Sequence, residues 1–424
     1  MVVHRRFEGQ NVVVSGFAGQ TVRIWAIPDS TQGSTAMDPH AEICRAIDNY
    51  REKVVALSHE IHEHPELKFE EHFAADALTR AAGELGLQVE RGVGGLATAF
   101  RSEFGGEGPA VAILAEYDAL PNGHSCGHNL IAGAALCAVA GLNSISTRLP
   151  GRIVFLGTPA EEGGGGKIIL IDKGALHGVD AAMMAHPTDA EFTTMPALAT
   201  QHLKLTFHGR SAHAALAPWD GSSALSAIIQ TFQSVDAMRL HLRDGSRIHG
   251  IITDGGQAVN IIPEKTACLF LARAKTSRYA NEIGARVIRC AEAAAMATGT
   301  RVEPVIEGGY MNMINNMSIA NRYAAHTGTL GVKTVEAPEG TPTGSTDMGD
   351  VSHVMPAIHP AFAISRHGEG NCHEDKFVAH ADSKRGYDAM IRVAKAMAMT
   401  AYDLLAQPEL LQSAQKEFAA RKES

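Results

Sequence analysis

Aromatic and cationic side chains are scarce in this sequence. Phe, Trp and Tyr make up 5% of 424 residues, with two Trp in all, which leaves few stacking platforms for single-stranded nucleic acid. Lys and Arg number 37 against 46 Asp and Glu, a formal charge of −9, so no general cationic excess is available to neutralise phosphates. Nucleic acid is therefore not an expected partner. The six cysteines (Cys44, Cys126, Cys137, Cys268, Cys290 and Cys372) contain no C-x-x-C pair. In a chain too long to need stapling, that spacing fits reduced thiols and a cytoplasmic location. The N-terminus has Arg5 and Arg6 but no convincing small-residue cleavage site, so no signal peptide is expected. Residues 129–147 lack charge but are rich in Ala, Gly and Ser, and their strongly apolar part is too short to span a bilayer. They read as a buried helix, and no membrane partner is expected.

Hydrophobic residues reach 45%, with 42 Gly and 21 His. This balance excludes extended disorder and collagen-like architecture. At roughly 100 to 200 residues per domain, the length argues for two or three domains. Residues 1–36 stand apart as an N-terminal extension with two short β-like pieces, Asn11 to Val14 and Thr21 to Ile27, and a turn-rich stretch from Pro28 to Thr35. Met37 reads as the native start. Ile43, Ile47, Tyr50, Val54, Leu57 and Ile61 then recur at helical spacing up to Pro65. A helix near Glu71 to Leu85 follows. Strands are expected at Leu96 to Phe100, Ala110 to Leu114, Arg152 to Leu156 and Ala181 to Ala185, alternating with helices. The pattern implies an α/β fold, a mainly parallel sheet with helices on both faces. From 197 to 309 the order becomes β-α-β-β-α-β, an inserted ferredoxin-like unit. The flanking stretches 37–196 and 310–424 form the larger domain, with a strand at Ala357 to Ile364 and a long helix from Ser383 to Leu405.

Candidate chemistry gathers just past the apolar strands, where a parallel sheet places its functional loops. A-E-Y-D-A-L-P-N-G-H-S-C-G-H-N at 115–129 holds a thiol and an imidazole two residues apart, a donor pair suited to zinc and related divalent cations. On its own this pair is equally compatible with a buried thiol beside a capping histidine. T-P-A-E-E-G-G-G-G-K at 158–167 offers adjacent acids, Glu161 and Glu162, one able to bind metal while the other faces substrate as a general base. Its four glycines suit close approach of a ligand. The run does not match a phosphate loop, which needs Gly at 161 and Ser or Thr at 168, where this chain has Glu161 and Ile168. M-M-A-H-P at 183–187 adds His186. Three strand ends bearing Cys/His, Glu/Glu and His converge on one edge, a coincidence that outweighs the bland reading of any one of them.

These segments, with H-G-I-I-x-x-G-G, N-I-I-P, G-S-T-D-M-G-D-V-S and I-H-P-A-F, resemble the two-metal aminoacylase and glutamate-carboxypeptidase family of metallopeptidases (family M twenty). The likeness runs from about residue 38 to 405 and is nearest to the amidohydrolase branch, the aminobenzoyl-glutamate hydrolase and β-alanyl-lysine dipeptidase types. It implies hydrolysis of an amide in a small N-acyl or aminoacyl amino acid by metal-activated water, with two divalent ions, Zn²⁺ or Mn²⁺, in each protomer. Cys126 then corresponds to the bridging ligand, His128 and His186 to the ligands of one ion, and Glu162 and His373 to those of the other. Glu161 corresponds to the general base and Asp118 to the acid of the first metal motif. Most branches carry histidine where this chain has Glu116, so His128 supplies the imidazole. The inserted unit corresponds to a lid that pairs two protomers into a homodimer. His213 corresponds to a histidine that polarises the carbonyl in the partner's site, and Asn260 and Arg273 to residues that hold the substrate, with Arg273 on a carboxylate. His59, His62 and His64 are expected at a helix end or the surface, and His353, His359 and His367 near the site without a role. Two other readings compete: a thiol hydrolase with Cys126 as nucleophile, and a non-catalytic ligand-binding protein on the same fold.

Overall fold

The computed structural model describes residues 11–15, 21–25, 38–341 and 343–422. Met37 and the turn-rich stretch 28–35 lie outside the described residues. Asn11–Ser15 and Thr21–Trp25 pair as two antiparallel strands, where the sequence places its two β-like pieces.

Helix Pro39–Glu63 buries Ile43, Ile47, Val54, Leu57 and Ile61, the stripe that its 3.6-residue spacing dictates. A six-stranded sheet follows, in the order Ala357–Ile358, Ala181–Met183, Ala110–Ala115, Arg152–Gly157, Phe100–Gly105 and Val89–Arg91. The first four strands run parallel; Phe100–Gly105 pairs antiparallel with them and Val89–Arg91 antiparallel with it. In the central strand, Val111, Ile113 and Ala115 pack into one apolar cluster with helices His128–Asn143 and Lys384–Ala406. Ala110, Ala112 and Leu114 pack into another with Leu170, Met348 and Val351 from helices Gly166–Asp172 and Met348–Val354. Both faces of the sheet are covered, which is why A-V-A-I-L-A shows no polar alternation.

The inserted unit is Ala199–His208, Ala224–Met238, Arg247–Asp254, Lys265–Ala274, Ser277–Thr298 and Arg301–Gly308. Its strands form an antiparallel sheet in which Lys265–Ala274 and Ala199–His208 are central, the ferredoxin-like arrangement expected. Phe207, Ile228, Ile283 and Val287 share its own apolar cluster.

Two expected strands differ. The strand placed at Leu96 to Phe100 begins only at Phe100, because Gly92, Gly94 and Gly95 take positive φ and fold the preceding residues into a 3₁₀ turn. The strand expected from Ala357 to Ile364 is two. Ala357–Ile358 closes the large sheet, and Ala361–Ala363 joins a second sheet with His186–Thr188, Phe192–Thr194 and Val335–Glu336. Pro360, which has no N–H to give a ladder, sits at the break. This second sheet and the helix Pro408–Lys422 are additions to the expected fold. None of the described helices is long and apolar enough to cross a membrane.

Candidate metal centre and active site

The parallel strands deliver their polar residues to one edge, as the topology requires. Ala110–Ala115 runs directly into Glu116, Tyr117 and Asp118, Arg152–Gly157 into the loop bearing Glu161 and Glu162, and Ala181–Met183 into His186. Cys126 and His128 come from the turn and first helical residue after the central strand, with Gly127 at φ 71° allowing the chain to enter the helix.

One ligand atom from each of Cys126, His128 and His186 can be chosen so that all lie within 4.8 Å of one another, and the same holds for Cys126, Glu162 and His373. Cys126 therefore belongs to both triads. A third group, His128, Glu161 and Glu162, closes the cluster. Cys126 Sγ lies 3.6 Å from His186 Nε2, and His373 Nε2 lies 3.3 Å from Glu162 Oε1. His186 Nδ1 bonds the Pro187 carbonyl at 2.8 Å. A carbonyl only accepts, so Nδ1 carries the proton and Nε2 presents its lone pair toward Cys126. His128 repeats the pattern: Nδ1 meets Asp118 Oδ1 at 3.1 Å, while buried Nε2 has no hydrogen-bond partner. Glu162 Oε1 is likewise buried without a hydrogen bond and faces the His373 ring. Orphaned donor atoms beside a thiol, with carboxylate and carbonyl groups orienting the imidazoles, fit a divalent cation.

Asp118 also accepts the Glu162 amide at 2.9 Å through Oδ2, so one carboxylate aligns an imidazole and the acid-bearing loop. Glu161 is 7% exposed. Burial, then the nearby Glu116 and Asp347 charges, hold its carboxyl well above the usual carboxylate range. Its carbonyl accepts the Tyr310 hydroxyl at 2.6 Å. The loop is backbone-determined: Gly165 has φ 67°, and a Cβ on Gly166 would lie 1.8 Å from the Pro159 carbonyl oxygen. At Gly166 the close approach is made by the chain itself, where the sequence pattern suggested a ligand. Among the described residues, Phe69, Ala160 and His373 are non-glycine positions at positive φ, and two of them carry or adjoin site residues.

Seven of the ten expected site residues come together: Asp118, Cys126, His128, Glu161, Glu162, His186 and His373. The other three lie on or beside the inserted sheet. His213 is exposed and its Nδ1 accepts the Ala215 and Leu216 amides, each at 3.2 Å. Exposed Asn260 adjoins it, its carbonyl accepting the Ala214 amide at 3.0 Å. Arg273 Nη1 donates to Ser345 Oγ at 3.0 Å. As expected, the histidines at the end of the first helix stay apart from the cluster: His59 meets Asp382, and His62 and His64, the latter one residue past the helix, meet the Val378 and Glu60 carbonyls. Of the unassigned histidines, His353 and His367 bond Asn312 O and Asp189, whereas His359 is fully buried, with its ring edge-on to His186 at 5.7 Å between centroids.

Residues that the sequence alone does not single out include Cys372, whose Sγ lies 4.0 Å from His186 Nδ1, and Glu71 and Asp347. Adjacency to His373 is the available signal for Cys372. The neighbouring Cys372 thiol, then burial, push the Cys126 thiol well up.

Residues 112–396 match the model of peptidase family M20/M25/M40. The chain is 38% identical over 396 residues to the Xaa-Arg dipeptidase of Mus musculus, covering 88% of this chain and 91% of that one. It is 29% identical over 451 residues to a p-aminobenzoyl-glutamate hydrolase polypeptide of Escherichia coli, covering 88% and 93%. A dinuclear metal binding peptidase of the M20 family from Bacillus subtilis shares the fold at TM-score 0.67 and 20% identity, over 85% of this chain and 99% of that one.

Proposed function

The chain belongs to peptidase family M20/M25/M40 and is a metal-dependent hydrolase of amide bonds, and we propose that its substrate is a small aminoacyl or N-acyl amino acid. The observation that carries this reading is the sharing of Cys126 between two donor triads with Glu161 beside them. Cys126 would be the ligand common to two cations, with His128 and His186 holding one and Glu162 and His373 the other. The Cys/His/Glu donor mixture suits Zn²⁺ and is compatible with Mn²⁺.

Bound there, the ions would supply Lewis-acid activation of water and of the substrate carbonyl. Glu161 is the general base: it takes the attacking water's proton and passes it to the departing nitrogen. A carboxyl held high by burial suits a group that must carry that proton for part of the cycle. Asp118 keeps the His128 ring and the Glu161–Glu162 loop in register.

His213 is assigned to polarise the substrate carbonyl. Its Nδ1 accepts two amide hydrogens, so the proton resides on Nε2, the form that donates to an oxygen. Arg273 and Asn260 hold the substrate, Arg273 through its carboxylate. His213 serves the partner protomer of a cytoplasmic homodimer paired through the unit 197–309, while 37–196 and 310–424 form the metal-binding domain and 1–36 an extension. The mammalian relative's name makes dipeptides with C-terminal Arg the first to assay, with aminobenzoyl-glutamate and N-acyl amino acids beside them.

Chelation should abolish turnover of such a panel, and Zn²⁺ or Mn²⁺ should restore it. Glu161→Gln should lower kcat by about 10²–10⁴ while leaving bound metal unchanged by elemental analysis. Full turnover in that variant removes Glu161 from the base role, and indifference to chelation removes the metal assignment.

A further inference from the structure

Lys167 and Glu116 take no part in the chemistry above, yet they sit against it. Lys167 is 1% exposed. Its Nζ donates to Glu116 Oε2 at 2.6 Å and to Asp347 Oδ1 at 2.7 Å, and its own amide donates to Asp347 Oδ2 at 2.9 Å. One ammonium thus ties the end of the central strand, the glycine-rich loop and the start of helix Met348–Val354. The second oxygen of Glu116, Oε1, is buried without a hydrogen bond and stands 3.4 Å from His128 Nε2, the nitrogen assigned to the cation.

We propose that Lys167 is a positioning residue for metal binding: its ammonium satisfies Glu116 through Oε2, so that the carboxylate, although 3.4 Å from His128 Nε2, does not claim that nitrogen from the cation. The reason is the cost of a buried carboxylate with no counter-charge. Without the ammonium, Glu116 and Asp347 are both left unpaired, beside Glu161 and Asp118. The nearest group able to satisfy Glu116 is the His128 ring already at Oε1. A hydrogen bond there occupies the nitrogen that the cation needs. With Lys167 in place, Asp118 fixes the ring at Nδ1 and Glu116 is anchored by its far oxygen, so the geometry at Nε2 is set from both sides. This inference rests on the reading that His128 binds metal.

The test is Zn²⁺ affinity by chelator competition on stripped and reloaded full-length protein, alongside thermal unfolding of the stripped form. Lys167→Met should weaken one of the two Zn²⁺ ions by about 10–100-fold, the range for groups that orient ligands. The double variant Lys167→Met/Glu116→Gln should regain affinity to that of Glu116→Gln alone, because the released carboxylate is gone. A purely structural lysine would lower the unfolding temperature of both variants and leave Zn²⁺ affinity alone. Unchanged affinity in Lys167→Met, or a double variant that binds no better than the single, overturns the proposal while leaving the metal reading intact. Wild-type protein that takes up no Zn²⁺ overturns both. Should Lys167→Met not fold, Lys167→Gln, whose amide reaches one carboxylate, is compared with Lys167→Arg: weaker binding in the Gln variant supports the proposal and equal binding overturns it.

Discussion

Replacing Glu71 by Ala should cost both stability and turnover, although Glu71 lies outside the metal cluster. Its carboxylate is fully buried. Oε1 accepts the Phe69 amide at 2.7 Å and the Ala160 amide at 2.8 Å, and Oε2 accepts the Thr98 hydroxyl at 2.9 Å. Phe69 and Ala160 have φ 67° and 60°, in the left-handed region that costs an L-residue about 1–2 kcal/mol. A single oxygen therefore holds two strained residues, and one of them immediately precedes Glu161. Burial pushes the Glu71 carboxyl up despite its three donors, so part of their benefit goes to offset desolvation.

Deleting the carboxylate leaves two amides without their acceptor, at about 1–3 kcal/mol for each donor that stays buried. Relaxation of the two left-handed residues returns some of this as released strain. The net expectation is about 2–4 kcal/mol lost in denaturant unfolding. Relaxing Ala160 also carries Glu161 with it, so kcat should fall about tenfold or more, in line with the sensitivity of catalysis to misplacement of about 1 Å. Glu71→Gln keeps an acceptor oxygen for both amides and should stay within about 1 kcal/mol of wild type. Adding Ala160→Gly to the Ala variant should not restore kcat, since glycine tolerates the native φ but does not enforce it. Urea denaturation and steady-state kinetics on the three variants decide the matter. Glu71→Ala with wild-type kcat and a stability loss under about 0.5 kcal/mol would show that the loop holds itself.

Two further outcomes follow from other parts of the molecule. Burial raises the Asp350 carboxyl to about 7, against the Met311 amide that it accepts. An acid whose folded value lies above its unfolded value stabilises fully at low pH, and that contribution is lost as pH rises from about 4 to about 7. Relative to wild type, Asp350→Asn should therefore gain stability across that window, by at most about 4 kcal/mol; a difference that does not change with pH, or shrinks, refutes it. For the proposed dimer, mixing inactive His213→Ala with inactive Glu161→Gln protomers should return about a quarter of wild-type activity, because random pairing makes half the dimers mixed, each with one intact composite site. No recovery after confirmed protomer exchange would place His213 in its own chain's site.

Local signals carried much of this fold. The apolar run Ala110–Ala115 and the 3.6-residue stripe of the first helix each declare their element within a few residues, and the motifs begin where such strands stop. Partnerships across long sequence separations left no such trace. Lys167 and Asp347 are 180 residues apart, and Glu71 and Ala160 are 89 apart. Nothing in a single sequence distinguishes a lysine after four glycines that is solvated from one buried between two acids. The second sheet was illegible for another reason: its strands have two or three residues each, too few to show a period of two.

The glycine run has a cause within the chain itself. G-G-G-G after two acids invites a ligand-binding explanation, because absent side chains expose backbone. In the fold, Gly165 is used for its left-handed φ and Gly166 for contact with the Pro159 carbonyl, so the turn from the strand folds tightly back on itself. That tightness has a chemical consequence. With the loop closed behind them, Glu161 and Glu162 share the neighbourhood of His128 but keep different partners: Glu162 reaches His373 and Cys126, while burial, then the Glu116 and Asp347 charges, raise the Glu161 carboxyl. Two adjacent acids acquire different environments because the backbone between strand and helix cannot extend. A ligand and a base can therefore be drawn from consecutive residues.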